Sequence, residues 1–287
     1  MRRRNAKGFT LVELVVVIVL STIVVSFMAM FIAGPVRAYT DQARRGELVD
    51  LAEGALRRVA RDVRRALPNS VRVTTSGSVV ALEMLNTVDG VRYREQPPPN
   101  DPDKQLDFAA ADGAFNSVGT FTSISKPFSS TSHYLSVYNV GVAGADAYEL
   151  TNVITPPGTQ IDIDTDTTPG EDNVTMSPAF RFAYGSPAQR IFLLDGPLTY
   201  LCDLGAGTLT RYSGYSIAAL HSDRDSAAEL TAAGASGTLV SEQVATCNIA
   251  YAPGTSQRAG LVSLQLGISD VGETISLLHQ VHVNNVP

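Results

Sequence analysis

The chain contains no tryptophan, two cysteines and four histidines in 287 residues, and each scarcity closes a class of function. The histidines, His133, His221, His279 and His282, form no H-E-x-x-H helix, and two cysteines cannot build a paired-cysteine zinc site. A G-x-S-x-G elbow is also missing. His279 and His282 fall three apart in a predicted strand, so they point to opposite faces and cannot grip one metal there. His279 instead shares its face with Ile275, Leu277, Val281 and Val283, the setting of a half-buried packing residue. With no nucleophile–base pair in view, the chain reads as a non-enzyme without a cofactor. Aromatic residues make up 7%, too few for a broad carbohydrate-stacking face; Tyr212 and Tyr215 in LTRYSGY could form a small one, and sheet packing explains them equally well.

Positive charge is scarce in most of the chain. Residues 68–287 hold 10 Lys/Arg against 22 Asp/Glu, a balance of −12, whereas residues 1–67 hold 12 against 6, a balance of +6; together they give the net −6. An acidic body repels phosphate, which argues against nucleic-acid binding.

What is abundant is apolar sequence at the front. After the leader MRRRNAKG, with Arg2, Arg3, Arg4 and Lys7, the chain is apolar from Phe9 to Ala33 except for Glu13 and a few hydroxyl residues. That run of about 25 residues makes roughly 37 Å of helix, enough to cross a bilayer. The basic leader places the N-terminal end in the cytoplasm and the body beyond the membrane. A cleaved secretory signal fits less well, because the run is too long and no A-x-A-type site closes it.

From Val36 to Leu67 the pattern is amphipathic, with Leu48, Leu51, Ala55, Val59, Val63 and Ala66 on one face. Asp41/Arg45 and Glu53/Arg57 are acid-before-base pairs four apart. Arginines crowd the last turns, Pro68-Asn69 ends the helix, and Pro35 should bend it midway. One helix of about 59 residues is expected. Beyond it the period changes to two. Strands are expected at Val71–Thr75, Val79–Asn86, Gly90–Arg94, Tyr134–Val140, Phe180–Tyr184, Arg190–Leu194, Leu198–Cys202, Thr208–Tyr212, Leu261–Ile268 and Thr274–Val283. Turns are expected at Ser76-Gly77-Ser78 and Asp89-Gly90, with long loops at 96–130 and 142–178 and a short helix or loop within 222–239. The expected class is α+β: a long N-terminal α-helix, transmembrane at 9–33 and amphipathic at 36–67, packed on an antiparallel β-sheet body over 68–287. In a body outside the cytoplasm, Cys202 and Cys247 are expected to form one disulfide, with two free thiols as the alternative.

Gly8-Phe9-Thr10-Leu11-Val12-Glu13 resembles the cleavage and methylation motif of type IV prepilins. The resemblance implies that a prepilin peptidase removes leader 1–8 by cutting between Gly8 and Phe9, and that the new Phe9 amine is methylated. It also implies partners: other minor and major pilins, and an inner-membrane assembly platform. Further along, SVRV, GPLTYLC, LTRYSGY, CNIAY and the terminal HVNNVP resemble the MshO-type minor pilins of mannose-sensitive haemagglutinin (MSHA) pilus systems, which are similar to J-type minor pseudopilins of type II secretion. A role in priming or capping a pilus follows, with a secretion pseudopilin or a tip adhesin as alternatives. A lone ionised carboxylate in hydrocarbon is costly, and the freed amine of an adjacent subunit is a suitable partner for Glu13. The competing reading places Glu13 at the interface, reaching back to headgroups.

Asp162, Asp164 and Asp166 alternate in TQIDIDTDTTPGED, so a strand would set them on one face, a weak candidate Ca²⁺ site. Thr167 stands where an EF-hand needs glycine and Asn173 where it needs its terminal glutamate, which favours an exposed acidic loop.

If Glu13 pairs between subunits, Glu13→Ala should leave membrane insertion intact while incorporation into filaments falls, as read by fractionation and by immunoblot of sheared filaments. Unchanged incorporation would remove the pairing role.

Overall fold

The computed structural model describes residues 8–98, 101, 104–254 and 259–283. The basic leader at 1–7, part of QPPPNDPDKQ and the last four residues of HVNNVP lie outside the described residues. The chain divides after Val49 into two compact units, each described by itself.

The first unit is the front of one α-helix, α1, Leu11–Arg64, 54 residues long and about 81 Å at ~1.5 Å per residue. It continues through Pro35. Every residue from Gly8 to Ala43 is exposed, including Val16 at 49% and Phe31 at 82%. A helix apolar on all sides and bare on all sides needs a non-aqueous cover. Two of its hydroxyls suit one: Thr22 donates to the Ile18 carbonyl at 2.8 Å and Ser26 to that of Thr22 at 2.7 Å, so these two donors are satisfied within the helix. Asp41 pairs with Arg44, three residues on, at 3.7 Å.

The second unit begins at Asp50, within the helix. The reason is burial: Ala52, Ala55, Leu56, Val59, Ala60 and Val63 are each at most 4% exposed. Leu51, expected on this face, lies off it at 43% exposed; the buried stripe follows positions 52, 55, 56, 59, 60 and 63, the wider apolar stripe of a surface helix. Glu53 and Arg57 pair at 2.5 Å on the outer side. At the helix end, Asp62 Oδ2 accepts from Tyr200 Oη and Arg211 Nε, both at 2.8 Å.

Thirteen strands follow among the described residues: β1 Arg72–Ser76, β2 Val79–Tyr93, β3 Asp112–Val118, β4 Phe128–Ser130, β5 Tyr134–Ser136, β6 Gln160–Thr165, β7 Asp172–Phe180, β8 Arg190–Asp203, β9 Thr208–Ser213, β10 Ser236–Ser241, β11 Val244–Ala252, β12 Gly260–Asp270 and β13 Glu273–Val283. A ten-stranded antiparallel sheet runs in the order β10-β9-β8-β2-β3-β7-β6-β4, with β1 on β2 and β5 on β8; β11-β12-β13 form a second sheet. A short helix, α2 Ala227–Ala232, is closed by a capping box of Ser226 and Glu229. The fold is α+β.

Several expectations are corrected. Asp89-Gly90 is no hairpin turn: β2 runs on through it, with register shifts against β8 between Asn86 and Asp89. Gly90 is needed because Phe192 lies opposite, and a Cβ would meet its ring at 2.9 Å. The two strands expected at 190–202 are likewise one, bent at Gly196, whose φ is 115°. The expected loop at 96–130 contains β3, in which Phe115, Asn116 and Ser117 are all buried. The loop expected at 142–178 contains β6 and most of β7. Neither β10 nor β11 was anticipated.

The largest core cluster gathers Tyr93, Leu106, Phe115, Phe121, Ile161, Val174, Phe182 and Ile191, and a second gathers Leu67, Leu85, Tyr148, Ile154 and Leu194. Leu67 donates its N–H to the Leu85 carbonyl at 2.8 Å, and Thr87 donates to that of Arg65 at 3.0 Å, so the segment leaving α1 is bonded to β2.

Placing a charge in the buried stripe should therefore be severe and placing one beside it mild. Val63→Asp should lower unfolding free energy by ~3 kcal/mol or more, whereas Leu51→Asp should change it by less than about 0.5 kcal/mol. Chemical denaturation of the detergent-solubilised chain measures both.

Candidate functional site

Thr10 precedes the first helical residue. Its side-chain oxygen accepts from the Glu13 N–H at 3.3 Å and its carbonyl accepts from the Leu14 N–H at 3.1 Å. Thr10-Leu11-Val12-Glu13 thus has the T-x-x-E spacing of a capping box, of which the Thr10 half is made. This local role for Thr10 was missed in the sequence, although its spacing is legible there. Glu13 also lies in the first turn, where a carboxylate favours the positive end of the helix dipole. Its side chain is exposed and its helix is bare around it, so the position is open to a group from another molecule. Gly8 has nothing within 4 Å of where a Cβ would stand. Neither packing nor backbone strain in the folded chain accounts for a glycine there.

The acidic stretch is divided by the fold. Asp162 and Asp164 share a face of β6, where Asp162 accepts from Gln160 Nε2 at 2.8 Å and Asp164 accepts from the Thr165 N–H at 2.7 Å. Asp166 turns away to Lys104 at 2.9 Å. The Thr168 backbone N–H and then Lys104 hold its carboxyl well below the usual range. Burial pushes Glu171 upward, but Arg94 and Asn116 outweigh it and leave the group lowered. Asp172 is paired with Lys126 at 2.6 Å and accepts from the Phe121 N–H at 2.7 Å. The candidate Ca²⁺ set of Asp162, Asp164 and Asp166 is therefore not brought together. Among the described residues no group of three or more His, Cys, Asp or Glu is disposed to hold a metal.

Cys202 on β8 and Cys247 on β11 stand as free thiols, so the expected disulfide is not formed in this structure. They nevertheless face each other across the two sheets: a hydrogen bond with Cys247, and then burial, push the Cys202 thiol far up. Tyr215 is 6% exposed and donates to Glu83 Oε1 at 2.9 Å, so it belongs to the interior rather than to a stacking face.

That tyrosine is part of a buried polar cluster. Glu83 is fully buried. Arg72 bonds it at 2.5 Å through Nε and also donates to the carbonyls of Ala218 and Ala219. The Arg72 guanidinium lies 3.6 Å from the centroid of the Tyr148 ring. Burial raises Glu83, with Arg72 and Tyr215 opposing. His221 Nδ1 lies 2.6 Å from Thr74 Oγ1; burial and then Arg72 hold its pKa down to about 4. The imidazole is thus neutral at pH 7, and its Nε2, 3.8 Å from Glu83, is not an ion-pair partner. The cluster ties β1, β2 and the 214–224 segment together.

Residues 3–29 match the family described as "Prokaryotic N-terminal methylation motif". No curated protein and no solved structure matches the chain. The match supports a type IV pilin-like protein, pilin or pseudopilin, and indicates a structural protein. With the apolar helix it fits a membrane-anchored subunit that assembles with other pilins.

The buried imidazole fixes a pH dependence. Its folded pKa of about 4 lies below the ordinary 6.5, so the unfolded chain binds the extra proton and stability falls as pH drops from 6.5 toward 4. Glu83, raised, acts in the opposite sense, because acidification favours its neutral buried form. His221→Gln should cost stability at pH 7 but remove up to about 2 kcal/mol of the loss between pH 7 and pH 5. Denaturation midpoints of both proteins at the two pH values measure it; parallel losses would refute it.

Proposed function

We propose that the chain is a minor pilin of the MshO type. It is cut between Gly8 and Phe9, methylated on Phe9, and helps to prime or cap a type IV pilus of the MSHA kind. The observation that carries this reading is the helix front, apolar and exposed on every side from the first turn onward, with one carboxylate, Glu13, in that turn. Such a surface suits lipid before assembly and neighbouring helices after it. The Phe9 amine freed by cleavage would carry positive charge, and on an adjacent subunit it would meet Glu13 and set the axial register. Before assembly the body would face the periplasm from the inner membrane. There Cys202 and Cys247 would pass two electrons and two protons to a disulfide-bearing oxidant of that compartment and form a disulfide joining the two sheets, adding about 4 kcal/mol in the chain-entropy account.

Intact-mass and N-terminal peptide spectra of the protein from cells with and without prepilin peptidase test this directly. A chain beginning at methylated Phe9 is expected only with the peptidase, and the loss of two hydrogens would report the bridge. A leader retained in peptidase-positive cells would exclude the pilin reading.

A further inference from the structure

An open cavity of about 770 Å³ lies between β2, β8 and the end of β3, with Val91, Val118 and Phe192 in its lining and Arg92 and Arg190 beside them. It shares Thr87, Arg190 and Phe192 with a smaller cavity of about 230 Å³, bounded on its other side by Arg64 and Arg65.

Three observations mark this groove. First, Arg92 and Arg190 stand directly opposite in the β2–β8 register, where like charges repel. Arg72, Arg94 and Arg211 are each matched to a carboxylate; among the described residues, Arg92 and Arg190 are not. Arg92 donates through Nε to the Ala188 carbonyl at 3.3 Å, which leaves its charge unneutralised. Second, Thr87 Oγ1 is buried without a hydrogen-bond partner in the wall common to both cavities. Third, these cations gather in a body whose own balance over 68–287 is 10 basic against 22 acidic residues.

The layout also sets the shape of the ligand. Arg65 is held at the Thr87 end, where its Nη2 donates to the Thr87 carbonyl at 3.2 Å. Arg92 lies toward the other end, and Arg190, which lines both cavities, lies between. Five residue steps along β2 lead from Thr87 to Arg92, at most about 16 Å at ~3.3 Å per residue. The groove therefore carries guanidinium groups along its length beside an apolar floor.

We infer that this groove binds an extended, acidic polypeptide segment of a neighbouring subunit, with carboxylates set against the arginines and apolar side chains on the floor. The inference rests on the assembly role proposed above. A guanidinium pair suits carboxylates through bidentate bonds, and Thr87 supplies a further polar contact. A nucleic acid would bring phosphate along its whole length against an acidic body, whereas a peptide brings its charges only where the arginines are.

The test uses the full chain in neutral detergent. Its probes are a short fluorescent peptide with a glutamate near each end, the same peptide with glutamines, and a single-stranded oligonucleotide. The wild type should bind the glutamate peptide, with affinity falling as salt rises. Arg92→Gln/Arg190→Gln should weaken it about tenfold or more, and the glutamine peptide should bind no better than that. Because the substitutions relieve a repulsion, the denaturation midpoint of the variant should be unchanged or higher. A lowered midpoint would identify the arginines as structural and overturn the inference. So would a wild type that ignores the glutamate peptide, equal binding by the variant, or tighter binding of the oligonucleotide. N-terminal processing of the same variant is measured in cells. Normal processing without peptide binding removes the groove alone, while absent processing in the wild type removes the assembly reading beneath it.

Discussion

The constraint on which everything else depends is the solvation of the front of α1. From Gly8 to Ala43 every residue is exposed, and the most apolar stretch of the helix has a mean hydropathy of 2.9. Water is a poor environment for such a surface, and the backbone of a helix is the one element other than a closed barrel that hydrocarbon accepts. The hydroxyls of Thr22 and Ser26 are turned onto the helix's own carbonyls. Glu13 is then the single charged exception in the apolar run, placed where the helix dipole tolerates it and where another molecule can reach it.

The rear of the same helix obeys the opposite rule. Its stripe from Ala52 to Val63 is buried as deeply as any strand, and its last carboxylate, Asp62, is shared by Tyr200 and Arg211. One continuous element thus belongs to two environments, and the change falls near Val49. The polar cluster around Glu83 performs a related task inside the body. A buried carboxylate is costly alone, and here it is held by Arg72 and Tyr215 in a network that fixes the approach of the 214–224 segment to β1 and β2.

Much of this was legible in the residues, and the failures have physical causes. The motif Gly8–Glu13, the apolar run and the rear stripe are local patterns, readable from spacing alone, although Leu51 was assigned to the wrong side of the stripe. The hairpins built from β1–β2 and β12–β13 also follow from alternation. Asp89-Gly90 misled because its dipeptide is ordinarily a turn; only the ring of Phe192, remote in sequence, shows why glycine stands mid-strand. β3 was hidden because Asn116 and Ser117 are buried polar residues whose partners include distant groups, Glu171 and the Asp172 carbonyl. The separation of Asp162 and Asp164 from Asp166 depends on Lys104, and the facing of Cys202 and Cys247 depends on two sheets meeting. Neither can be derived from spacing.

The bonding at the helix end has a mechanical consequence. Load carried along α1 passes through its buried stripe to the polar bonds of Asp62, Arg65 and Leu67, whose partners lie on β9, β8 and β2. β8 and β2 are interior strands of the large sheet, paired to each other along nearly their whole length. Traction on the subunit is therefore delivered to the middle of the most extensively bonded layer, away from the sheet margins β10 and β4, where peeling would begin.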